Sequence, residues 1–535
     1  MSHDPVAAPF ARGRASVLKT KAQDRVKGGT IAMADLRSWL ELLKTHGELV
    51  EIDEEVDWKF EMGCLLRRIY DIPGGGPAVL FKNIKGYRDA VGRKFFAGSF
   101  SSFRRLAMVM GLPPDSHYKD TVLKYAKGIE HPFHPVLVND GLCKEVIRKD
   151  KEIDLLGFPV PHLHPNDGGR YMGTFQLVVT KDPETGVQNV GLYRMMVHDQ
   201  THLGTTLLYS KQHWEFHFEK WTARGKKMPI AICFGPPQIT LITAVSKLDH
   251  PPDEFAYAGG IAGEPVKLVK CETIDVDVPA ECEIVLEGYV DFDPSTFRPE
   301  GPFGEYMGYL SGLPGKRPVI EIHCITHRKD PILQGTLEGR CAPGASENHY
   351  SASILSSAYA YRLLKQHKID VVGAFAPLGA AGYNKLIIAI RQQRQGEAMQ
   401  AASLLWGSDA SFMRFKEVIV VDEDIDVYNP AMVEFALTTR VEPSRDIKIV
   451  GGFPGLPTDP SIPPSEKDPW TGIRWSRVCI DATRPLYFPV LESWGGRRFP
   501  PVQHWPQEIE NIVDNKWQKY GLGKYPLPPR WRNTY

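Results

Sequence analysis

The segment Arg298-Pro-Glu-Gly-Pro-Phe-Gly-Glu-Tyr-Met-Gly308 carries two acidic residues on a stretch of chain that cannot form a regular helix. Two glycines and a proline interrupt any helix, so the pattern predicts a tight loop that holds Glu300 and Glu305. Two carboxylates on such a loop can face one pocket, where like charge and burial raise the pKa of at least one of them. That arrangement suits a general acid, and two solvated glutamates are the alternative that this segment alone leaves open.

A second segment, Gln188-Asn-Val-Gly-Leu-Tyr-Arg-Met-Met-Val-His-Asp199, is predicted to form a β-strand. Alternate side chains of a strand share a face, which places Arg194 beside Leu192, Met196 and His198. An arginine in such apolar surroundings is costly unless an anion meets its guanidinium group. A bound anion, a structural ion pair and a side chain that reaches solvent are three explanations compatible with this spacing.

The chain outside these two segments changes texture several times. Turn signals separate many short strand-like segments in its middle third, a pattern typical of a barrel or a sandwich. Alternating helical and strand-like segments lie on both sides. We predict a flexible basic tail (1–32), an N-terminal α/β domain (33–135), a domain of short strands (136–335), a linking helix (345–367), a second α/β domain (368–500) and a C-terminal helix with its tail (501–535).

The composition is that of a soluble globular enzyme. A chain of 535 residues is too long for one hydrophobic core, and its 64 basic and 64 acidic residues cancel. No net charge therefore attracts nucleic acid or an anionic membrane, and no apolar run approaches the length of a membrane helix. The eight cysteines are scattered without a C-x-x-C pair. We expect a cytoplasmic protein that binds neither nucleic acid nor membrane.

Several familiar catalytic motifs are missing from the sequence. There is no phosphate-binding G-x-x-x-x-G-K-[ST] motif, and Gly259-Gly-Ile-Ala-Gly263 does not match the dinucleotide motif G-x-G-x-x-G. His213-Trp-Glu-Phe-His217 has its glutamate in the third position, where a helix carries it away from the metal-binding face. The sequence therefore disfavours a zinc protease, and Arg194 with the two loop glutamates is more informative.

The chain resembles the UbiD family of reversible decarboxylases, which use prenylated FMN. The segments that carry this resemblance are, in order, Asn189-Val-Gly-Leu-Tyr-Arg194, Lys211-Gln-His213, Glu254 to Gly263, Leu268-Val-Lys-Cys271, Glu283-Ile-Val-Leu-Glu-Gly288 and Pro299-Glu-Gly-Pro-Phe-Gly-Glu305. The resemblance runs from about Met33 to the C-terminal helix. It implies an α/β multidomain fold with a split β-barrel that holds the flavin and a C-terminal α/β domain used for oligomerisation. It also implies a homo-oligomer, either a dimer or a hexamer.

The resemblance also implies which residues form the site. Arg194, Glu300 and Glu305 match the catalytic group of the family. The residues that match its cofactor-binding positions are Asn189, Val190, Gly191, Leu192, Tyr193, Arg194, Gln212, His213 and Glu254. Three of these, Asn189, His213 and Glu254, match the ligands of a divalent metal, usually manganese, that bridges to the cofactor phosphate.

Two details of the implied cofactor site differ in how well the sequence supports them. A potassium ion is expected near the backbone carbonyls of Ala244 to Ser246. Some family members have a phosphate-contacting lysine just before the strand-like Glu417-Val-Ile-Val-Val421, but 407–413 contains no lysine here. Arg414 and Lys416 come later, so this contact has no assigned counterpart.

The implied reaction is the loss of CO2 from an aromatic or heteroaromatic carboxylic acid. Such a loss leaves a carbanion that no side chain can stabilise, so a cofactor must accept the electrons. By resemblance, Arg194 positions the substrate carboxylate, Glu300 holds Arg194, and Glu305 protonates the vacated carbon. A flavin prenyltransferase is the expected supplier of the cofactor.

The substrate and two rival functions stay open at this point. Tyr306 beside the implied acid favours an aryl acid, and aryl-CoA thioesters such as phthaloyl-CoA or isophthalyl-CoA are compatible with the sequence. One rival is a flavin reductase-like oxidoreductase that uses ordinary FMN. It stays open because a split barrel also serves flavin reductases, and fold alone does not decide function. A non-catalytic carboxylase subunit would bind no flavin.

Overall fold

The structure is a computed structural model that describes residues 33–206, 213–245, 253–311, 315–408, 414–456, 458–466, 474–528 and 530. The predicted basic tail, 1–32, lies outside the described residues. Within them the chain forms a mixed α/β structure built on three principal sheets. One hydrophobic core runs through all three, from Leu36 near the start to Ala482 near the end. The three sheets are therefore packed into one body.

The first sheet has four strands, and one of them comes from far along the chain. Its strands, in spatial order, are Leu49–Ile52, Ala78–Phe81, Lys94–Ala97 and Ile332–Gln334. Residues 332–334 are predicted to belong to the short-strand domain, because a strand pattern does not reveal its pairing partner. Ile332–Gln334 in fact runs parallel to Lys94–Ala97. The helices around this sheet are Leu36–Thr45, Glu61–Tyr70, Phe103–Val109 and Tyr118–Glu130.

The second sheet is antiparallel and has nine strands. Eight of them follow the spatial order Tyr171–Gly173, Met195–Val197, His202–Thr205, Val319–His327, Ile284–Val290, Met228–Phe234, Leu177–Lys181 and Gln188–Gly191. The ninth, Val146–Lys149, pairs with Val319–His327. Every described pairing within this sheet is antiparallel.

This sheet is curled into a half-barrel, and the chain connectivity explains why. Gln188–Gly191 lies at one edge and Met195–Val197 lies next to the opposite edge, yet only residues 192–194 join them. In a flat sheet the two strands would be about 29 Å apart, at about 4.8 Å per strand spacing. The connection spans at most about 14 Å when fully extended. The two edges must therefore approach each other.

Smaller elements surround the half-barrel. A three-stranded sheet consists of Asp277–Pro279, Lys267–Lys270 and Val136–Leu137. Two short hairpins pair Arg298–Glu300 with Gly315–Arg317, and Phe303–Gly304 with Leu310–Ser311. The helices of this region are His213–Ala223, Gln238–Thr243 and Glu254–Ala262.

The third sheet follows a 20-residue helix, Glu347–Gln366, which we call the long helix. The sheet has the order Val371–Phe375, Lys385–Ile390, Glu417–Asp422, Arg474–Ala482 and Ile447–Pro454. Its helices are Glu397–Trp406, Pro430–Arg440 and Pro443–Asp446, and Gln507–Lys516 follows near the end of the chain. None of the described helices is long and apolar enough to cross a membrane.

Candidate active site

The predicted strand through Arg194 is interrupted at the residue that matters most. The prediction of one continuous strand over residues 190–198 is wrong, because the chain leaves the sheet after Gly191 and rejoins it at Met195. The two halves pair with strands on opposite sides of the half-barrel. Arg194 therefore lies on the crossing between the two sheet edges. Its backbone carbonyl accepts a hydrogen bond of 3.3 Å from Thr205 Oγ1.

Arg194 lies between the two predicted glutamates. Its Nε and Nη2 donate to Glu300 Oε1 and Oε2 at 2.9 and 2.8 Å. Its Nη1 donates to Glu305 Oε1 at 2.5 Å. Loop 298–308 thus brings both carboxylates to one guanidinium, as two hairpins rather than as irregular coil. Glu300 is 2% exposed, so this is a buried ion pair with an added, less buried carboxylate.

The buried carboxylate of Glu300 has further donors. Tyr171 OH donates to Oε1 at 2.8 Å and Thr206 Oγ1 donates to Oε2 at 2.6 Å. The Arg194 guanidinium also lies over the Phe303 ring, 5.0 Å from its centroid. A carboxylate with four charge-assisted or hydroxyl hydrogen bonds has little freedom to move or to accept a proton. Glu300 is therefore a fixed anchor for Arg194.

The electrostatics of this group bear on the predicted rise of a carboxylate pKa, and Glu300 does not show that rise. Burial alone would raise the pKa of Glu300, but hydrogen bonds and charge from Arg194 outweigh burial and hold it below its ordinary value. The expected mutual repulsion of Glu300 and Glu305 does not raise the pKa of Glu300, because the charge of Arg194 lies between them. Burial would lower the pKa of Arg194, yet the two carboxylates raise it above its ordinary value. Arg194 and Glu300 are both charged at neutral pH.

A cavity of about 510 Å³ opens beside Arg194 and Glu305. Such a volume is in the range of small-molecule sites. It lies between the half-barrel, the loop 298–308, the long helix and the third sheet's loops. Its lining includes Gln176, Leu192, Tyr193, Arg194, Thr206, Glu300, Phe303, Glu305, Tyr306, Glu338, Asn348, His349, Ala352, Tyr383, Arg414, Thr458 and Pro460.

Glu338 is a cavity residue that the sequence analysis missed. It follows the strand Ile332–Gln334 in a loop, and no motif surrounds it. Its Oε1 accepts a hydrogen bond from Asn348 Nδ2, while its Oε2 is buried without a partner among the described residues. Burial, with the charges of Glu305 and Glu347, raises its pKa well above the ordinary value. Burial at the cavity wall thus favours the neutral form of Glu338.

Tyr306 also lines the cavity, as the sequence analysis suggests. Its hydroxyl lies 3.3 Å from Thr458 Oγ1, and its ring lies 5.3 Å from that of Tyr383. Its backbone carbonyl faces His349 Nε2 at the start of the long helix. Tyr306 thus connects the loop of the two glutamates to the long helix and the third sheet.

Of the three predicted metal ligands, the structure describes the side chains of Asn189 and Glu254. Asn189 is buried within the strand Gln188–Gly191, and Glu254 Oε2 accepts a hydrogen bond of 3.2 Å from the backbone nitrogen of the next residue, Val190. Burial raises the pKa of Glu254 to about 8. Asn189 Nδ2 is buried without a hydrogen-bond partner in the described part of the chain. A buried carboxylate without compensating charge fits a cation, which would restore the charge balance, and the amide oxygen of Asn189, not the donor Nδ2, would be its ligand.

Some of the remaining residues predicted to bind the cofactor lie outside the described part of the structure. His213 begins the helix His213–Ala223, but its side chain is outside the described set. Gln212 and Ser246 are not among the described residues, so the predicted potassium site is described only at Ala244 and Val245. No cluster of three or more His, Cys, Asp or Glu side chains suited to a metal occurs in the described residues.

Family models match three stretches of the chain. The 3-octaprenyl-4-hydroxybenzoate carboxy-lyase N-terminal domain matches residues 40–124, the Rift-related domain 136–341 and the C-terminal domain 349–482. The chain belongs to the UbiD family. It is accordingly a carboxy-lyase, a decarboxylase of the UbiD class.

Individual relatives are similar to this UbiD-family chain over almost its whole length. An uncharacterized protein of Synechocystis sp. (strain ATCC 27184 / PCC 6803 / Kazusa) is 31% identical, over 92% of this chain and 97% of that protein. Among solved structures, the UbiD-class enzyme HmfF from Pelotomaculum thermopropionicum in complex with FMN is 30% identical. It matches with a TM-score of 0.76 and covers 90% of this chain and 100% of its own.

Two further structures bear on the cofactor and the substrate class. Vanillic acid decarboxylase from Sedimentibacter hydroxybenzoicus, in closed form, is 30% identical with a TM-score of 0.78 and covers 90% of this chain and 98% of its own. An evolved dimeric form of HmfF, in complex with prFMN, is 30% identical with a TM-score of 0.72, over 85% of this chain and 96% of its own. UbiD-class neighbours of this chain thus bind FMN and prenylated FMN.

Proposed function

We propose that this chain is a prenylated-FMN-dependent, reversible decarboxylase of an aromatic or heteroaromatic carboxylic acid. The observation that carries the proposal is the Glu300–Arg194–Glu305 group at the wall of the cavity. Glu300 is anchored by four hydrogen bonds and its side chain is 1% exposed, whereas the side chain of Glu305 is 17% exposed. This asymmetry suits one carboxylate that positions and one that reacts.

Arg194 binds and orients the substrate carboxylate. Its guanidinium is held by the bidentate pair with Glu300, so its orientation is set before a substrate arrives. A carboxylate that approaches from the cavity meets Nη1 on the side occupied by Glu305. Exchange of Glu305 for the substrate at this nitrogen frees the Glu305 side chain for a proton-transfer role.

Glu305 delivers the proton to the carbon that CO2 leaves. The bond between this carbon and the carboxyl group breaks, CO2 departs, and the carbon takes a proton in its place. Prenylated FMN, when bound, supplies the electron sink for the pair left behind. The reverse reaction uses the same residues, with Glu305 as the base. Thr206, Phe303 and Tyr306 enclose the reacting groups and limit the entry of water.

The cofactor is proposed to lie along 189–194 and against Gln212, His213 and Glu254. Asn189, His213 and Glu254 would hold manganese or a similar divalent metal at its phosphate, and a potassium ion would bind near residues 244–246. The buried, uncompensated carboxylate of Glu254 supports this assignment. A hard cation with oxygen and nitrogen ligands is the partner such a carboxylate favours.

Assembly and location are further parts of the proposal. Ile509, Val513 and Tyr520 of the C-terminal segment are 46%, 38% and 53% exposed in the single chain, which is unusual for large apolar residues. We propose that a second copy covers them in a homo-oligomer, a dimer or a hexamer. All eight cysteines are free thiols, which supports a reducing cytoplasm.

The substrate range includes free aryl acids and aryl-CoA thioesters such as phthaloyl-CoA or isophthalyl-CoA. A flavin prenyltransferase is the proposed source of the cofactor. Co-expression with such an enzyme, followed by purification without oxygen, tests the proposal through the absorption spectrum and the mass of the released flavin. Prenylated FMN supports the decarboxylase. Plain FMN with NAD(P)H oxidation would instead favour a reductase, and no flavin would favour a non-catalytic subunit.

A further inference from the structure

A short segment of the chain packs directly on the loop 298–308. It consists of His164-Pro-Asn-Asp-Gly168, and we call it the template segment. The backbone nitrogen of Gly168 donates to the carbonyl of Pro302 at 2.8 Å. The two backbones approach so closely that a Cβ at Gly168 would lie 2.1 Å from the carbonyl oxygen of Gly301. A glycine is therefore required where the template segment meets the loop.

Asp167 is the buried residue of the template segment, at 7% exposed. Its Oδ1 accepts a hydrogen bond of 2.9 Å from the backbone nitrogen of Gly304, and its Oδ2 accepts one of 3.3 Å from that of His164. Burial raises the pKa of Asp167, although these two donors lower it, so the buried carboxylate is costly. In return it ties the template segment to the residue immediately before Glu305.

The two backbone donors explain why an acid is needed at this position. Gly304 N and His164 N donate to different oxygens of Asp167. An asparagine offers one acceptor oxygen, and its NH2 group would face a second N–H donor. One backbone nitrogen would then be buried without an acceptor, which is unfavourable. Asp167→Asn therefore releases one of the two contacts with little change in side-chain size.

The backbone of Glu305 is held on its other side by its own hairpin. Glu305 N donates to the carbonyl of Tyr309 at 3.0 Å. Together with the contact between Asp167 and Gly304, this fixes the chain on both sides of the proposed proton donor. The side chain of Glu305 borders the cavity instead. In the proposed reaction this side chain leaves Arg194 when the substrate binds, so the backbone must stay in place while the side chain turns.

We propose that Asp167 is a positioning residue for the proton transfer, because it fixes the backbone from which the carboxyl group of Glu305 reaches the carbon vacated by CO2. The inference rests on the proposed function, in which Glu305 donates the proton. Asp167 does not belong to the described residues that line the cavity, so its effect on the reaction passes through the loop. Displacement of a reacting group by about 1 Å costs about 100-fold in rate.

The test compares two buried acids that each accept from two backbone nitrogens, in the full-length, flavin-loaded protein. Asp167→Asn is the test variant. Its matched control is Glu287→Gln, because Glu287, 1% exposed, accepts from Glu272 N at 2.8 Å and from Thr273 N at 2.7 Å. The probes are vanillate, 3,4-dihydroxybenzoate and benzoate. We would measure kcat and KM for CO2 release, flavin content, thermal unfolding, and deuterium exchange of a peptide that spans 301–305.

We expect Asp167→Asn to lower kcat by about 10- to 100-fold and to leave KM within about 3-fold of wild type. KM is spared because Glu300, rather than the template segment, holds Arg194. Deuterium exchange of the 301–305 peptide should quicken by about 10-fold or more. Glu287→Gln should lose thermal stability to a similar extent and keep kcat within about 2-fold of wild type. Both variants should retain their flavin.

A second pair of variants keeps the test decisive if Asp167→Asn does not fold. Gly168→Ala keeps the carboxylate of Asp167 but places a methyl group against the carbonyl of Gly301. Its control is Gly379→Ala, since a Cβ at Gly379 would meet no atom within 4 Å. Gly168→Ala should lower kcat more than it changes KM, and Gly379→Ala should change neither.

Three results would overturn the inference. If Asp167→Asn kept kcat within about 2-fold of wild type, the contact with Gly304 would not matter for the reaction. Equal losses of kcat in Asp167→Asn and Glu287→Gln would make the effect a general loss of stability. Unchanged exchange of the 301–305 peptide would mean that Asp167 does not hold the loop. Failure of the decarboxylase proposal looks different, because wild type then releases no CO2 from any of the acids, while the exchange measurement still reports on the loop.

Discussion

Two buried arginines in this protein each sit between two carboxylates, in different regions. Arg194 in the half-barrel meets Glu300 and Glu305, and Arg440 in the third sheet's helix meets Asp422 and Asp424. The distances are alike, from 2.5 to 3.0 Å. The difference is access, since Arg194 lines the cavity and Arg440, 4% exposed, does not. An arginine with two acids is therefore not a catalytic signal by itself; the cavity beside it is.

The largest effect is expected from removal of the proton donor. Glu305→Gln keeps the size of the side chain but cannot deliver a proton, so kcat should fall by about 10³-fold. Flavin content and the midpoint of thermal unfolding should stay close to wild type. The matched change in the Arg440 group is Asp424→Asn. It should lower the stability of the protein and leave kcat per folded molecule within about 2-fold of wild type. Equal losses of kcat in both variants would remove the distinction between the two regions.

Loss of the other arginine should affect stability rather than chemistry. Arg440→Met removes a cation from two buried carboxylates, while Arg484 stays 3.1 Å from Asp422 and 3.9 Å from Asp424. The free energy of unfolding should fall by about 3–5 kcal/mol in a urea titration. The control Arg391→Met removes an exposed pair with Asp370 and should change it by less than about 1 kcal/mol. A stable Arg440→Met protein would show that the ion pairs at Arg440 are not needed for folding.

The anchor Glu300 should give the protein a pH-dependent stability. Its folded-state pKa lies below the ordinary value of 4.5, so its contribution is present above that pH and is lost as the pH falls through the folded-state pKa. Glu300→Gln should therefore be less stable than wild type at pH 7, and the gap should close below pH 4.5. Thermal unfolding of both proteins from pH 7 to pH 3.5 measures this gap. A gap that is constant with pH would mean that Glu300 is not held as a carboxylate.

The smallest change in stability is expected for Glu338. This cavity residue has no ion pair among the described residues. Its pKa is raised, so its stabilising protonated form is present at low pH and is lost as the pH rises through the folded-state value. Glu338→Gln mimics the neutral form and keeps an oxygen for Asn348 Nδ2. Stability should change by less than about 1 kcal/mol at pH 7, and the variant should gain on wild type at higher pH. A marked loss at pH 7 would show that Glu338 is ionised.

The proposed catalytic group could be predicted from the sequence because its residues lie in two short segments. Glu300 and Glu305 share one loop, and Arg194 is an unusual residue within an apolar segment. Glu300 and Glu305 lie 106 and 111 residues from Arg194 along the chain, so their contact with its guanidinium depends on the fold. The strand break at 192–194 could not be read from alternation, since it arises from the curl of the sheet rather than from any local signal.

Other features depend on tertiary contacts alone. Ile332–Gln334 has an ordinary strand pattern, and only the fold shows that it completes the N-terminal sheet. Glu338 and Arg414 stand in segments with no motif, and their raised and lowered pKa values come from burial by distant parts of the chain. The helix Gln507–Lys516 is predictable from its apolar spacing, but its exposed apolar side is visible only in the structure.

The most direct test of the central claim is CO2 release by the prenylated-FMN-loaded protein in D2O, across a panel of aryl mono- and dicarboxylic acids. The account predicts that at least one acid yields CO2 and a product with one deuterium at the vacated carbon, in a reaction that Glu305→Gln abolishes. Protein that carries prenylated FMN and releases no CO2 from any acid, or a Glu305→Gln protein that turns over like wild type, would contradict it.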